Sequence, residues 1–297
     1  MPEDPAANDL LARVVRQHAR TSRLIGVDFV PAFRAAGAVN EVPGPAPALP
    51  SSASYVEAKP PSTRPASTQS VEELLGASES AMEPVLGGAL AGYARSPRVK
   101  GEDDRTYKAR LLNDLRARYE ADAPHKQFVT AHTRIVFGDG DPAARLVFVG
   151  EAPGAEEDKQ GIPFCGRSGE LLNKMIVAMG LSRQVVYICN VLKTRPPDNA
   201  TPTAREAAIC EPYLQEQLSI ISPDAIVTLG LPAVRTLLKT EDTMTRLRGR
   251  WASITLVGGR QVPVMPTYHP AYLLRAYTPE NRQKVWSDLQ MVMQRLG

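Results

Sequence analysis

The stretch Arg145-Leu146-Val147-Phe148-Val149-Gly150-Glu151-Ala152-Pro153-Gly154 decides how this chain folds. It reads as a short apolar strand that stops at a glycine. The Gly-x-x-Pro-Gly turn behind it must be sharp, and its free N–H groups face the space beyond the strand end. Glu151, Glu156, Glu157 and Asp158 put four carboxylates within eight residues of that turn. Such a density repels phosphate, so the turn is no phosphate cradle. It is either an acidic surface loop or part of a site.

The pattern continues outward from this strand. Glu170–Met179 forms a helix with Leu171, Leu172, Met175, Ile176 and Met179 on one face. Val185–Ile188 is a second strand, Thr203–Ile220 a helix, Ala225–Leu229 a third strand and Pro232–Leu238 a short helix. Val262–Met265 is a fourth strand and Asn281–Leu296 a closing helix. On the amino side, residues 102–121 form a charged helix broken at Pro124. Alternating strands and helices predict an α/β fold with a parallel sheet and helices on both faces. Ligands on such sheets bind beyond the carboxyl ends of the strands. Residues 150–168, 189–199 and 266–275 leave those ends and should meet in one crevice.

The amino-terminal third is different. Residues 8–36 read as an amphipathic helix with a short apolar tail, within a helical segment 1–37 that either packs on the main domain or binds a partner. Seven prolines fall between Val42 and Ala66, mixed with Ala, Ser and Gly. Such composition buries too little apolar surface to offset chain entropy, so 38–100 is expected to be a mostly flexible linker. The domain proper is then 101–297.

The net charge is +3, a weak hint of nucleic acid. Its distribution says more, because Arg246, Arg248, Arg250, Arg260 and Arg275 fall in an interval free of acidic residues between Asp242 and Glu280. Cys165, Cys189 and Cys210 lack metal or disulfide spacing and suit a reducing compartment. The acidic Met-Pro-Glu-Asp-Pro start has no apolar run and reads against a secretory signal, and no apolar stretch is long enough to span a membrane. A cytoplasmic protein is expected.

Three further segments carry chemistry. Phe164, in a loop between glycines, either stacks on a base or plugs the core. Asn190 follows a strand, and its amide offers a donor and an acceptor in one plane, as a pyrimidine edge requires. His269 is held extended by the proline behind it, and Leu273, Leu274 and Arg275 suit an apolar wedge beside a phosphate contact.

Together the segments Gly150–Asp158, Gly161–Gly169, Asn190–Pro197, Thr201–Leu214 and His269–Arg275 resemble the uracil-DNA glycosylase superfamily, and its family 4 most closely. The resemblance spans about residues 130–296 and implies a three-layer α/β/α fold around a mostly parallel sheet, four-stranded on this reading. It implies excision of uracil from single- or double-stranded DNA, acting as a monomer on the nucleoid and leaving an abasic site. Carried over by position, Glu151 and His269 are catalytic, and Ala152, Phe164 and Asn190 bind the base. Arg167, Lys193, Arg248, Tyr272, Leu273, Leu274 and Arg275 are expected on DNA. A neutral His269 would donate to the departing base's oxyanion, while Glu151 orients water or supports the cationic sugar. The extension could recruit a repair or replication partner. Two other outcomes stay open: a glycosylase for hypoxanthine or xanthine, and a non-catalytic damage-binding protein.

The chain departs from that family in one respect. Family 4 holds a [4Fe–4S] cluster on four cysteines, whose positions fall near Ala123 and Lys126, at Thr194 and at Cys210. Only Cys210 is a cysteine here, and one thiolate cannot hold a cubane that needs four ligands. No cluster is expected. Arg195–Thr203 also lacks the basic, histidine-containing insertion of a related branch that traps DNA covalently, so trapping is not expected.

Overall fold

The computed structural model describes Leu90 and residues 92–297. The expected amino-terminal helix and nearly all of the expected linker lie outside those residues. Within them the elements run α1 (Asp104–Asp122), β1 (Asp139–Gly140), β2 (Leu146–Gly150), α2 (Ala155–Gln160), α3 (Arg167–Ala178), β3 (Tyr187–Asn190) and α4 (Ala204–Ile221). Then follow β4 (Ala225–Leu229), α5 (Leu231–Leu238), α6 (Met244–Leu247), β5 (Ala252–Thr255), β6 (Gln261–Thr267), α7 (Pro270–Arg275) and α8 (Pro279–Leu296).

The sheet order is β1-β3-β2-β4-β6-β5. The four strands read from the sequence are its parallel centre, with Gly150 opposite Asn190 and Leu229 opposite Thr267 at the carboxyl ends. The sheet has six strands, not four, because an antiparallel strand closes each edge. Neither edge strand has a sequence signature. β1 is Asp-Gly alone, and β5 buries only Ile254. β5 is set against β6 by a Val257-Gly258-Gly259 turn whose glycines have φ of +96° and +87°.

Side chains alternate across the pleat. Val147 and Val149 of β2 face a core shared with α1, α4 and α5, through Leu115, Leu214, Leu218 and Leu237. Leu146 and Phe148 face the opposite core, with α3 and α8, through Leu172, Ile176, Trp286 and Leu289. The architecture is therefore the expected three-layer α/β/α. α4 starts where the sequence says it should, because Thr203 and Glu206 complete a capping box.

Chain before residue 101 also joins this body. Arg95 donates to Glu216 on α4, and Ser96 to Asp114 on α1. No helix among the described residues is long and apolar enough to cross a membrane.

Candidate active site

The loops leaving the carboxyl ends of β2, β3 and β6 enclose a cavity of about 370 Å³. Glu151, Ala152, Phe164, Asn190, His269 and Arg275 all line it. The turn of Gly150 is made for this crowding. A Cβ there would lie 2.3 Å from Oδ1 of Asn190 and 2.5 Å from Cζ of Phe164, so only hydrogen fits.

Asn190 is the last residue of β3 rather than the residue after it. It is 1% exposed, and its Oδ1 is buried without a hydrogen-bond partner. A buried amide oxygen left unpaired costs about 1–3 kcal/mol, so a ligand donor that meets it is strongly favoured.

Phe164 adopts φ +51°, the left-handed region, which costs a side-chain-bearing residue about 1–3 kcal/mol. Its ring lies 5.5 Å from that of His269, tilted by 34°. Its loop is fixed from behind by Glu157, whose Oε1 accepts from the amides of Cys165 and Gly166 at 3.0 and 2.9 Å. Those amides lie just before and at the N-cap of α3, so Glu157 pins the Phe164 loop to the start of that helix.

His269 is the N-cap of α7, and its Nδ1 accepts from the amide of Ala271 at 3.1 Å. Burial, reinforced by the Arg275 cation, pushes its pKa down to about 4. The imidazole is thus neutral at pH 7, with its proton on Nε2. Gly230, at φ +91°, leaves room for His269, since a Cβ there would lie 3.1 Å from the His269 Cβ. Glu151 behaves oppositely. Burial raises its pKa, while the Thr201 hydroxyl and Arg275 draw it back down.

Several residues expected on DNA lie elsewhere. Lys193 is fully buried, donating from Nζ to the Asn190 carbonyl at 2.8 Å and to Oε1 of Gln217 at 2.5 Å. It supports the crevice floor and has no access to a phosphate. Arg248 forms a fork on the buried Asp288 and a bond to the Lys284 carbonyl, which commits it to α8. Leu273 is 2% exposed and packs in the α3–α8 core, so of the two leucines only Leu274, at 37%, is available as a wedge. Tyr272, Arg167 and Arg275 are exposed.

The far wall of the cavity, formed by Pro196, Asn199, Ala200 and Thr201, comes from the 189–199 segment expected at the crevice and the two residues beyond it, none of which the sequence reading singled out. Asp198 and Asn199 both have positive φ, at 52° and 54°, and fold this segment back over Glu151. The Pro-Pro-Asp-Asn run carried that turn signal.

The positions that would hold an iron–sulfur cluster do not fit one. Tyr119, wholly buried, fills the space between them with its phenol oxygen 4.0 Å from Sγ of Cys210. Its ring stacks on His125 and meets Phe137 and Tyr213 edge-on. Of the four positions only Cys210 carries a thiol, and burial raises its pKa to about 11. Lys126 is exposed. The 130–137 segment is held instead by Asp158, which accepts from the Thr133 and Arg134 amides at 2.7 and 3.0 Å, and by backbone bonds to Lys193 and Arg195.

The sequence profile of the Uracil DNA glycosylase superfamily matches residues 137–290, more than half of the chain. A Type-4 uracil-DNA glycosylase of Thermotoga maritima is 46% identical over 159 residues, covering 53% of this chain and 81% of that protein. One of Archaeoglobus fulgidus is 41% identical over 169 residues, covering 56% and 83%. A Type-5 uracil-DNA glycosylase of Pyrobaculum aerophilum is 34% identical over 149 residues, covering 45% and 64%.

Proposed function

The chain belongs to the uracil DNA glycosylase superfamily, and from that premise we propose that it hydrolyses the N-glycosidic bond of uracil in DNA without a metal cluster. The observation that carries this reading is the hydrogen bond that fixes the His269 tautomer. With Nδ1 occupied by the Ala271 amide, a neutral ring can only donate from Nε2.

Breaking the bond leaves negative charge on the departing uracil and positive charge on the sugar. A fixed donor aimed at the developing oxyanion stabilises the first without reorganisation. Asn190 reads the flipped base, its unpartnered Oδ1 accepting from a ring N–H that uracil has and neutral cytosine lacks at the same edge. Phe164 supplies a stacking face. Glu151, as a carboxylate, orients water or supports the cationic sugar. Arg275 serves both ends of the reaction, since its charge favours neutral His269 and ionised Glu151 together.

The cluster-free reading is supported by the Tyr119 aromatic packing and by Ala123, Lys126 and Thr194 standing where three ligand cysteines would be. Those groups do by packing what a cluster would do by ligation.

Oligonucleotides carrying uracil, hypoxanthine, xanthine or thymine opposite guanine, incubated with protein and then alkali, test the activity. Strand scission at uracil alone is expected, with His269→Ala reducing it by about 10²–10³. Scission only at hypoxanthine or xanthine would move the assignment to another base. Binding without scission anywhere would make the protein a damage binder.

A further inference from the structure

We infer that Arg183 is a positioning residue that holds the Phe164 ring in the base pocket, an inference that rests on the proposed stacking role of Phe164. Arg183 sits in the turn before β3, outside every motif discussed above. Its guanidinium is nonetheless spent on the Phe164 loop. Nη2 donates to the Pro163 carbonyl at 2.5 Å, and Nη1 to the Phe164 carbonyl at 3.1 Å and to Oδ1 of Asn173 at 3.3 Å. Nε donates to Oδ2 of Asp139 at 2.8 Å. One rigid fork therefore ties the loop to α3 and to the edge strand β1, which a lysine ammonium could not do with the same geometry.

The clamp is needed because Phe164 is held in a left-handed conformation that a bulky residue leaves when free to do so. Two constraints keep it there. Gly169 in the first turn of α3 has no side chain, and a Cβ would come within 1.9 Å of the Phe164 carbonyl oxygen. That same oxygen is the one Arg183 binds. Glycine makes the close approach possible, and arginine makes it favourable. Without the guanidinium the two carbonyls lose their donors, residue 164 relaxes to negative φ, and the ring leaves its place between Gly150 and His269. The side chain of Arg183 is 19% exposed and lines no part of the cavity, so its effect reaches the base only through Phe164.

Steady-state excision from a single-stranded uracil oligonucleotide, measured in a double-mutant cycle of Arg183→Met and Phe164→Ala, tests this. Loss of a base–aromatic stack raises KM about 5- to 150-fold, so Phe164→Ala is expected in that range. Arg183→Met alone should raise KM at least about 5-fold, with a smaller change in kcat. On top of Phe164→Ala it should change KM less than about 2-fold, because the ring it positions is gone. Equal effects of Arg183→Met in both backgrounds would overturn the inference while leaving the stacking role intact. A Phe164→Ala enzyme with parental KM would overturn the stacking role itself. Should Arg183→Met fail to fold, Arg183→Lys and Asp139→Asn enter the same cycle, and parental KM in both would sink the clamp.

Discussion

The backbone amide of Ala271 donates to Nδ1 of His269 across 3.1 Å, and this single bond fixes which nitrogen of the neutral imidazole carries the proton. A histidine that caps its own helix cannot rotate or change tautomer without exposing an orphan N–H.

A pH profile should separate the two groups proposed to be catalytic. Glu151 is proposed to act as a carboxylate, and burial raises its pKa, so excision should decline first as pH falls through that raised value. His269 protonates only at about 4. In Glu151→Gln the residual rate, expected about 10²–10³ below parental, should therefore persist down to about pH 4. A residual rate that falls already at pH 6 would show that His269 is not held neutral. Stability follows the same logic with its sign checked. The folded His269 pKa lies below its unfolded value of 6.5, so the unfolded chain binds more protons between them. Its contribution is complete above 6.5 and is lost as pH falls toward 4. Urea midpoints at pH 7 and pH 5 should drop further for the parental protein than for His269→Gln, a comparison in which the opposite contribution of Glu151 cancels.

Gly150→Ala should abolish excision while the protein still folds. The added methyl meets Oδ1 of Asn190 and the Phe164 ring at under 3 Å, so one of the two base contacts must move. Circular dichroism and single-turnover assays together check this, and a rate within tenfold of parental would show that the pocket is softer than its geometry.

Tyr119→Ala should cost about 3–5 kcal/mol, the usual cost of deleting a buried aromatic ring. Parental protein purified without oxygen should contain no stoichiometric iron, and its melting temperature should not change with a chelator. An absorbance band near 400 nm would refute the cluster-free reading.

DNA affinity should fall as salt rises, and the slope identifies which cations meet phosphate. Arg167→Ala and Arg275→Ala, at exposed positions, should each reduce the slope by about one. Lys193→Met should leave the slope unchanged, since that amine never reaches solvent.

The parallel centre of the sheet was legible because each of its strands is an apolar run with a turn behind it. β1 was not, since Asp139 and Gly140 carry no pattern and become a strand only by pairing with β3. The site showed the same division. Glu151, Asn190 and His269 could be found because they sit at strand ends. Lys193 and Arg248 were expected on DNA, but partners 24 and 40 residues distant in the chain, Gln217 and Asp288, draw them inward. Leu273 and Leu274 are equivalent in sequence, and the single turn of α7 decides which is buried.

Thr267, the last residue of β6, donates to the buried Asp288 of α8, which Arg248 grips from the other side. The strand end that aims His269 is thus anchored by a helix made after it. A ribosome that has delivered every residue of the cavity has still not delivered the helix that anchors its β6 wall.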